Sequence, residues 1–212
     1  MTDAPSLDET ARKLADRVAA LPARTPRLLV AVAGPPASGK TTLAERLAEM
    51  LCEGGHEARH VPMDGFHLDN SVIEPRGLLH RKGAPETFDA QGFIHTMQRL
   101  ANEEEVILPA FDRARDIAVA GRIAIGPETR IAVVEGNYLC FTEDPWCALA
   151  ELWQFSVFLD VPDDVLRTRL VERWRDHGLS EAAALARAEE NDLPNGLRVL
   201  QKRAETSLTL GG

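Results

Sequence analysis

The stretch Gly34-Pro35-Pro36-Ala37-Ser38-Gly39-Lys40-Thr41 reads G-x-x-x-x-G-K-[ST], the spacing of a phosphate-binding loop. Its glycines let the backbone curl until N–H groups point inward at phosphate oxygens. Lys40 brings a positive charge, and the Thr41 hydroxyl is of the kind that holds Mg²⁺. The flanks agree, because residues 28–33 form a short apolar run with the character of a buried strand and residues 42–51 have helical spacing. The expected ligands are therefore ATP and Mg²⁺. Gly34, Pro35, Ala37, Ser38, Gly39, Lys40, Thr41 and Thr42 are the expected nucleotide contacts.

Further along, Gly54-Gly55 stops the helix, and residues 57–63 read as a second strand that delivers Asp64 at its carboxyl end. Residues 130–136 are a continuous apolar strand ending in Glu135 and Gly136, the pattern of a strand buried on both faces of a parallel sheet. Residues 155–161 read as another central strand, and residues 206–210 as an edge strand. Strands alternating with helices imply an α/β fold of three layers, a mostly parallel sheet between helices, with ligands gathered at the carboxyl ends of the strands. Gly34, Asp64 and Glu135 should then share one crevice.

The other segments decorate this frame. Ser6-Leu7-Asp8-Glu9 has the form of a capping box, opening a leading helix that Pro22 and Pro26 end. Residues 65–89, rich in Gly, Pro, His and charge, read as an excursion over the active face containing short helical turns. Residues 89–102 are helical, residues 106–110 a strand, and 117–119 with 122–125 a β-hairpin turning at Ala120-Gly121. Residues 145–152 form a short helix. Asp163 is the expected cap of a helix running to Gly178 and carrying Arg167, Arg169, Arg173 and Arg175, and Ser180 caps an Ala-rich helix ending near Asn191. Residues 163–190 thus resemble a helical lid, and 65–89 and 109–125 are acceptor-side excursions of a single domain spanning 1–212.

Composition narrows the partners. With 24 basic against 33 acidic residues and a net charge of −9, a general electrostatic binder of nucleic acid or membranes is excluded. Cys52, Cys140 and Cys147 have no C-x-x-C spacing, so a reducing cytoplasm is expected, with neither a disulfide framework nor zinc. Residues 1–5 lack the basic start of a signal peptide, and no apolar run reaches membrane-spanning length. A homodimer is compatible with all of this.

A nucleotide loop leaves the phosphate acceptor open, and the other crevice residues must supply it. Transfer to an alcohol needs positioned reactants, charge neutralisation and a carboxylate to take the hydroxyl proton. Asp64 suits that task and Glu135 suits the Mg²⁺ shell, although both are strand-end carboxylates and the roles can exchange. The lid arginines Arg167, Arg169, Arg173 and Arg175 all suit the transferring charge, and Arg173 is taken with Lys40 and Asp64 as the catalytic set. His67, Arg81, Lys82, Arg113, Glu135 and Tyr138 are the acceptor-side candidates.

Six ordered motifs carry a resemblance. They are Gly34 to Thr41, Met63-Asp64-Gly65-Phe66-His67, the run from Arg81 through Lys82-Gly83-Ala84-Pro85-Glu86-Thr87-Phe88 to Asp89, Leu108-Pro109-Ala110-Phe111-Asp112, Val134-Glu135-Gly136, and Phe158-Leu159-Asp160-Val161-Pro162 with its helix. Over most of 28–210 the chain resembles the phosphoribulokinase, uridine kinase and bacterial-type pantothenate kinase group of P-loop kinases, including its nucleoside or fructose kinase-like subgroup. The resemblance implies Asp64 as catalytic base, Arg173 at the phosphates, and residues 191–195, with Asn195, beside the nucleotide base. It implies an ATP-dependent kinase acting on a hydroxyl of a sugar such as fructose, a nucleoside such as uridine, or a pantothenate-like alcohol. The competing reading is a nucleotide-hydrolysing switch that passes phosphate only to water.

Overall fold

The computed structural model describes residues 6–211; the expectation about residues 1–5 lies outside them. In chain order the elements are α1 (Leu7–Ala19), β1 (Leu28–Ala33), α2 (Lys40–Glu53), β2 (Ala58–Pro62), α3 (Asn70–Ile73), α4 (Ala90–Asn102), β3 (Val106–Asp112), β4 (Ile117–Ile125), β5 (Ile131–Gly136), β6 (Phe155–Asp160), α5 (Asp163–Asp176), α6 (Glu181–Arg187), α7 (Leu193–Gln201) and β7 (Leu208–Gly211), with short 3₁₀ turns between some of them. Five strands form one sheet in the order β2-β5-β1-β6-β7, and every pairing in it is parallel.

Strand periodicity divides the core into two layers. Along β1, Leu29, Ala31 and Ala33 face a cluster with Phe93, Met97 and Leu100 of α4. Val30 and Val32 point the other way, onto Leu43 and Leu47 of α2 and Leu14 and Val18 of α1. Alternate residues of a strand point to opposite faces, so a strand apolar at every position is buried on both. That placement fixes the carboxyl ends of β1, β2 and β5 along one rim.

Local signals explain most of the elements. Ser6 and Glu9 form the reciprocal capping box of α1, and Asp89 and Ser180 accept backbone N–H bonds at the starts of α4 and α6. Four expectations are corrected. Pro162, rather than Asp163, occupies the cap position of α5, and Asp163 begins the helix. The strand expected over 57–63 stops at Pro62, so Asp64 stands on a 3₁₀ turn, Met63–Phe66.

Residues 117–125 are one strand, not a hairpin. β4 pairs antiparallel with β3, and the chain reverses at 113–116, with Asp116 at φ 58. Gly121, at φ 72, lies where the register shifts between Leu108↔Ile123 and Ala110↔Val119. Its conformational freedom serves a bulge instead of a turn. Finally, the Ala-rich helix does not end near Asn191: a π-helical segment, Ala188–Asp192, carries it into α7. Pro194 lies at the start of α7, directly after the π-helical segment.

The β3–β4 hairpin stands apart from the main sheet and is tied to it at its root. Arg27 is wholly buried and donates to the carbonyls of Leu100, Glu103, Glu104, Thr129 and Gly126. A buried guanidinium is tolerated when its donors are satisfied, and here it fastens both ends of the hairpin to the strand that leads into the phosphate loop. No helix among the described residues is long and apolar enough to cross a membrane.

Candidate active site

The phosphate loop is a backbone cradle. Ala37 and Gly39 take left-handed conformations at φ 62 and φ 90, and Gly39 caps α2 without any side-chain bond. The first N–H groups of α2 are thus left for an anion, where the helix dipole also favours negative charge.

Beside the loop lies a cleft of about 340 Å³, reached by Ala37, Gly39, Lys40, Thr41, Thr42, Asp64, His67, Lys82, Arg113, Glu135 and Arg173. The three expected catalytic side chains therefore meet in one space. Burial pushes the Asp64 carboxyl up, but His67 in its protonated form and the charges of Arg113, Lys40 and Arg173 outweigh it and hold the group below its ordinary value. Arg113, from the hairpin tip, forms an ion pair with Asp64. Burial lowers Lys40, against the opposing pull of Glu135 and Asp64, and lowers Arg173 as well.

Glu135 behaves differently from Asp64. It is buried, and burial, with Asp64 adding to it, raises its carboxyl to about 7 despite Lys40 and the Thr41 hydroxyl. Its Oε2 has no hydrogen-bond partner. An unpaired buried carboxylate oxygen next to a Thr hydroxyl is the hard-oxygen donor set that Mg²⁺ takes, so the residues present fit that ion.

His67 packs between two rings, 4.0 Å from Phe88 and 4.7 Å from Phe111 between centroids. Its Nδ1 lies 2.8 Å from the Asp64 carbonyl oxygen. A carbonyl only accepts, so Nδ1 carries the proton and Nε2 keeps its lone pair. Burial lowers the histidine's pKa and favours this neutral form. Lys82 is already engaged, its Nζ 2.7 Å from both Asn70 Oδ1 and Asp116 Oδ2.

Several expected contacts do not reach the cleft. Tyr138 is fully buried and donates to the Gly83 carbonyl at 2.6 Å. Arg81 donates to Asn195 Oδ1 at 2.9 Å, and buried Asn195 donates in turn to Asn191. Gly34, Pro35 and Ser38 belong to the loop but do not line this cleft, and a Cβ on Gly34 would come within 2.7 Å of Ser38 Oγ. These residues shape the walls.

Other side chains complete the cleft without having been singled out: Asn137, Phe111, Asp116, Trp174, Arg187 and Asp192. Asn137 directly follows Glu135-Gly136 and Trp174 adjoins Arg173, which are sequence signals. Arg187 had none, since only the fold brings it to the carbonyls of His80 and Lys82, at 2.9 and 3.0 Å. A second groove of about 400 Å³ runs along the outer side of the loop, between Leu7, Leu43, Leu159, Val161, Arg169 and Leu210, and shares Ala37, Gly39 and Thr42 with the cleft.

The sequence pattern of the phosphoribulokinase / uridine kinase family matches residues 29–186. The chain belongs to that family. Members are small-molecule kinases that use ATP, and this chain is such a kinase. The family member from Silicibacter sp. TM1040 whose crystal structure carries the provisional name of a fructose transport system kinase is 49% identical, with a TM-score of 0.91 over 98% of this chain and 100% of that one. A provisionally named uridine kinase of Schizosaccharomyces pombe is 33% identical over 91% of this chain and 85% of its own length. A pantothenate kinase of Mycolicibacterium vanbaalenii is 31% identical over 72% of this chain but only 48% of its own; the chain spans about half the length of that relative.

Proposed function

We propose that this kinase moves the γ-phosphate of ATP onto a hydroxyl of a small metabolite, with sugars such as fructose, nucleosides such as uridine and pantothenate-like alcohols as the candidate acceptors. The reading rests on one observation: Asp64, Lys40 and Arg173 line the same cleft as the phosphate loop. Asp64, held ionised by its cationic neighbours, takes the proton from the attacking hydroxyl. The Lys40 ammonium and the loop N–H groups hold the phosphates, and Arg173, which forms no ion pair among the described residues, meets the charge that develops on the transferring group.

Mg²⁺ held by Thr41 and Glu135 would supply charge neutralisation at the phosphates. The outer groove accounts for the base of the nucleotide: it is apolar, it borders the loop, and Arg169 lies at its edge. Within residues 191–195, expected beside the base, Asn195 accepts from Arg81 and Asn191 donates to the Lys82 carbonyl.

The test uses ATP labelled at the γ-phosphate. Label should appear in the acceptor in step with ADP, and Lys40→Ala should lower kcat/KM for ATP by about 10²–10³-fold, the typical loss of one charge-stabilising group. Label found only in inorganic phosphate, whatever acceptor is present, would identify a nucleotide hydrolase instead.

A further inference from the structure

The acceptor side of the cleft has an uneven stock of hydrogen-bonding groups. Asn137 Oδ1 is buried and has no donor. His67 lines the same space, and with Nδ1 donating to the Asp64 carbonyl its neutral form keeps Nε2 as an acceptor. Asp64 offers its second carboxylate oxygen, because only Oδ2 is taken by Arg113. A buried acceptor without a donor costs free energy until a ligand supplies one.

The positive charges are committed elsewhere. Lys82 is shared between Asn70 and Asp116, Arg113 is paired with Asp64, and Arg187 donates to two backbone carbonyls. Lys40 and Arg173 line the cleft with the phosphate loop and are assigned above to the phosphates. The remaining cleft cations direct their donors at protein oxygens rather than at an acceptor carboxylate or phosphate. Aromatic faces are committed too: Phe111 has His67 against it and the Lys82 and Arg113 cations 5.3 and 6.0 Å from its ring centre. Tyr138 is sealed in the wall. Trp174, which also lines the cleft, has the Arg187 and Arg173 guanidiniums 5.3 and 5.9 Å from its ring centre. A nucleobase would have to displace one of these contacts to stack, and the cleft of about 340 Å³ must also admit phosphates.

Building on the kinase reading above, we infer that the acceptor is a small neutral polyol, a sugar or sugar alcohol, whose hydroxyls donate to Asn137 and His67 while one of them is presented to Asp64. Asn137 is then a specificity-determining residue. Its amide asks for hydroxyls, which both donate and accept, and a site built around such bonds discriminates against ligands that lack them.

The experiment compares kcat/KM for D-fructose, D-ribose and D-glucitol with that for pantothenate and uridine, using ADP release, and measures ATP affinity on the same samples. At least one neutral polyol should exceed both other classes by about tenfold or more, and Asn137→Ala should raise its KM by about tenfold while ATP affinity stays within about twofold. Asn137→Ser, which keeps a hydroxyl, should fall between and serves if the alanine variant does not bind ATP. Preference for pantothenate or uridine, or an unchanged polyol KM in both variants, overturns the inference and leaves the kinase reading standing. Turnover of no acceptor, with ATP split only by water, removes both.

Discussion

From Leu28 to Glu53 the chain runs strand, loop and helix without a break, and this one stretch makes the phosphate cradle. The opposite wall is gathered from the 3₁₀ turn that holds Asp64, the segment around Lys82, the β3–β4 hairpin tip, and the helices from α5 to α7. Its joints are side-chain bonds between residues far apart in sequence: Arg113 with Asp64, Tyr138 with Gly83, Arg187 and Asn191 with the Lys82 carbonyl. The donor half is a local structure that the hydrophobic core supports directly. The acceptor half is a set of polar clasps, and its precision depends on all of them together. Substitutions in the clasps should therefore move acceptor parameters while leaving nucleotide binding alone.

The largest effect on this contrast comes from Gly65. A Cβ there would lie 2.6 Å from the Pro109 carbonyl carbon, so the turn carrying Asp64 and the middle of β3 could no longer touch as they do. Gly65→Ala should cost about 1–3 kcal/mol, which for a chain of this size lowers the melting temperature by about 2–4 °C per kcal/mol, and should depress acceptor turnover more than ATP affinity. Equal losses in both would show that the halves are not separable.

Glu135 supplies a pH signature at the seam. Its carboxyl is raised from 4.5 to about 7 by burial first and by Asp64 second. The folded, nucleotide-free protein holds a proton there that the unfolded chain gives up above 4.5. The resulting stabilisation is complete below that pH and is lost as pH rises through about 7. Thermal unfolding with a chelator present should show the parent losing stability against Glu135→Gln across that window, at up to about 1.4 kcal/mol per pH unit. Parallel curves for the two proteins would contradict this assignment.

A smaller effect attaches to Asp116, half-exposed at the hairpin tip and 2.7 Å from Lys82 Nζ. Exposed ion pairs contribute about 0–1 kcal/mol, so Asp116→Asn should leave unfolding nearly unchanged. Acceptor KM should still rise by a few-fold, because Lys82 is one pillar of the wall. An altered ATP KM would place the pair in the donor half.

The same contrast governs what could be read from residue order. β1, the loop and α2 were legible because a loop motif, an apolar run and helical spacing all act within neighbouring residues. Glu135 was legible as the end of a strand apolar on both faces. Gly121 misled because a positive-φ glycine serves a bulge as readily as a turn, and only the pairing of β4 with β3 distinguishes them. Tyr138 and Asn195 lie in the right part of the chain, yet their polar groups are spent on Gly83, Arg81 and Asn191. Arg187 shows the reverse: an arginine in an Ala-rich helix carries no mark of the carbonyls it will meet across the fold.

Asp64 stands where the two halves touch. Its direct test is Asp64→Asn, followed by acceptor turnover and by ATP affinity in the same preparation. Loss of a general base lowers turnover by about 10²–10⁴-fold, and the account predicts a loss of that size with ATP affinity essentially unchanged. Acceptor phosphorylation that persists near the parent rate in Asp64→Asn would contradict it and transfer the proton-accepting role to another group.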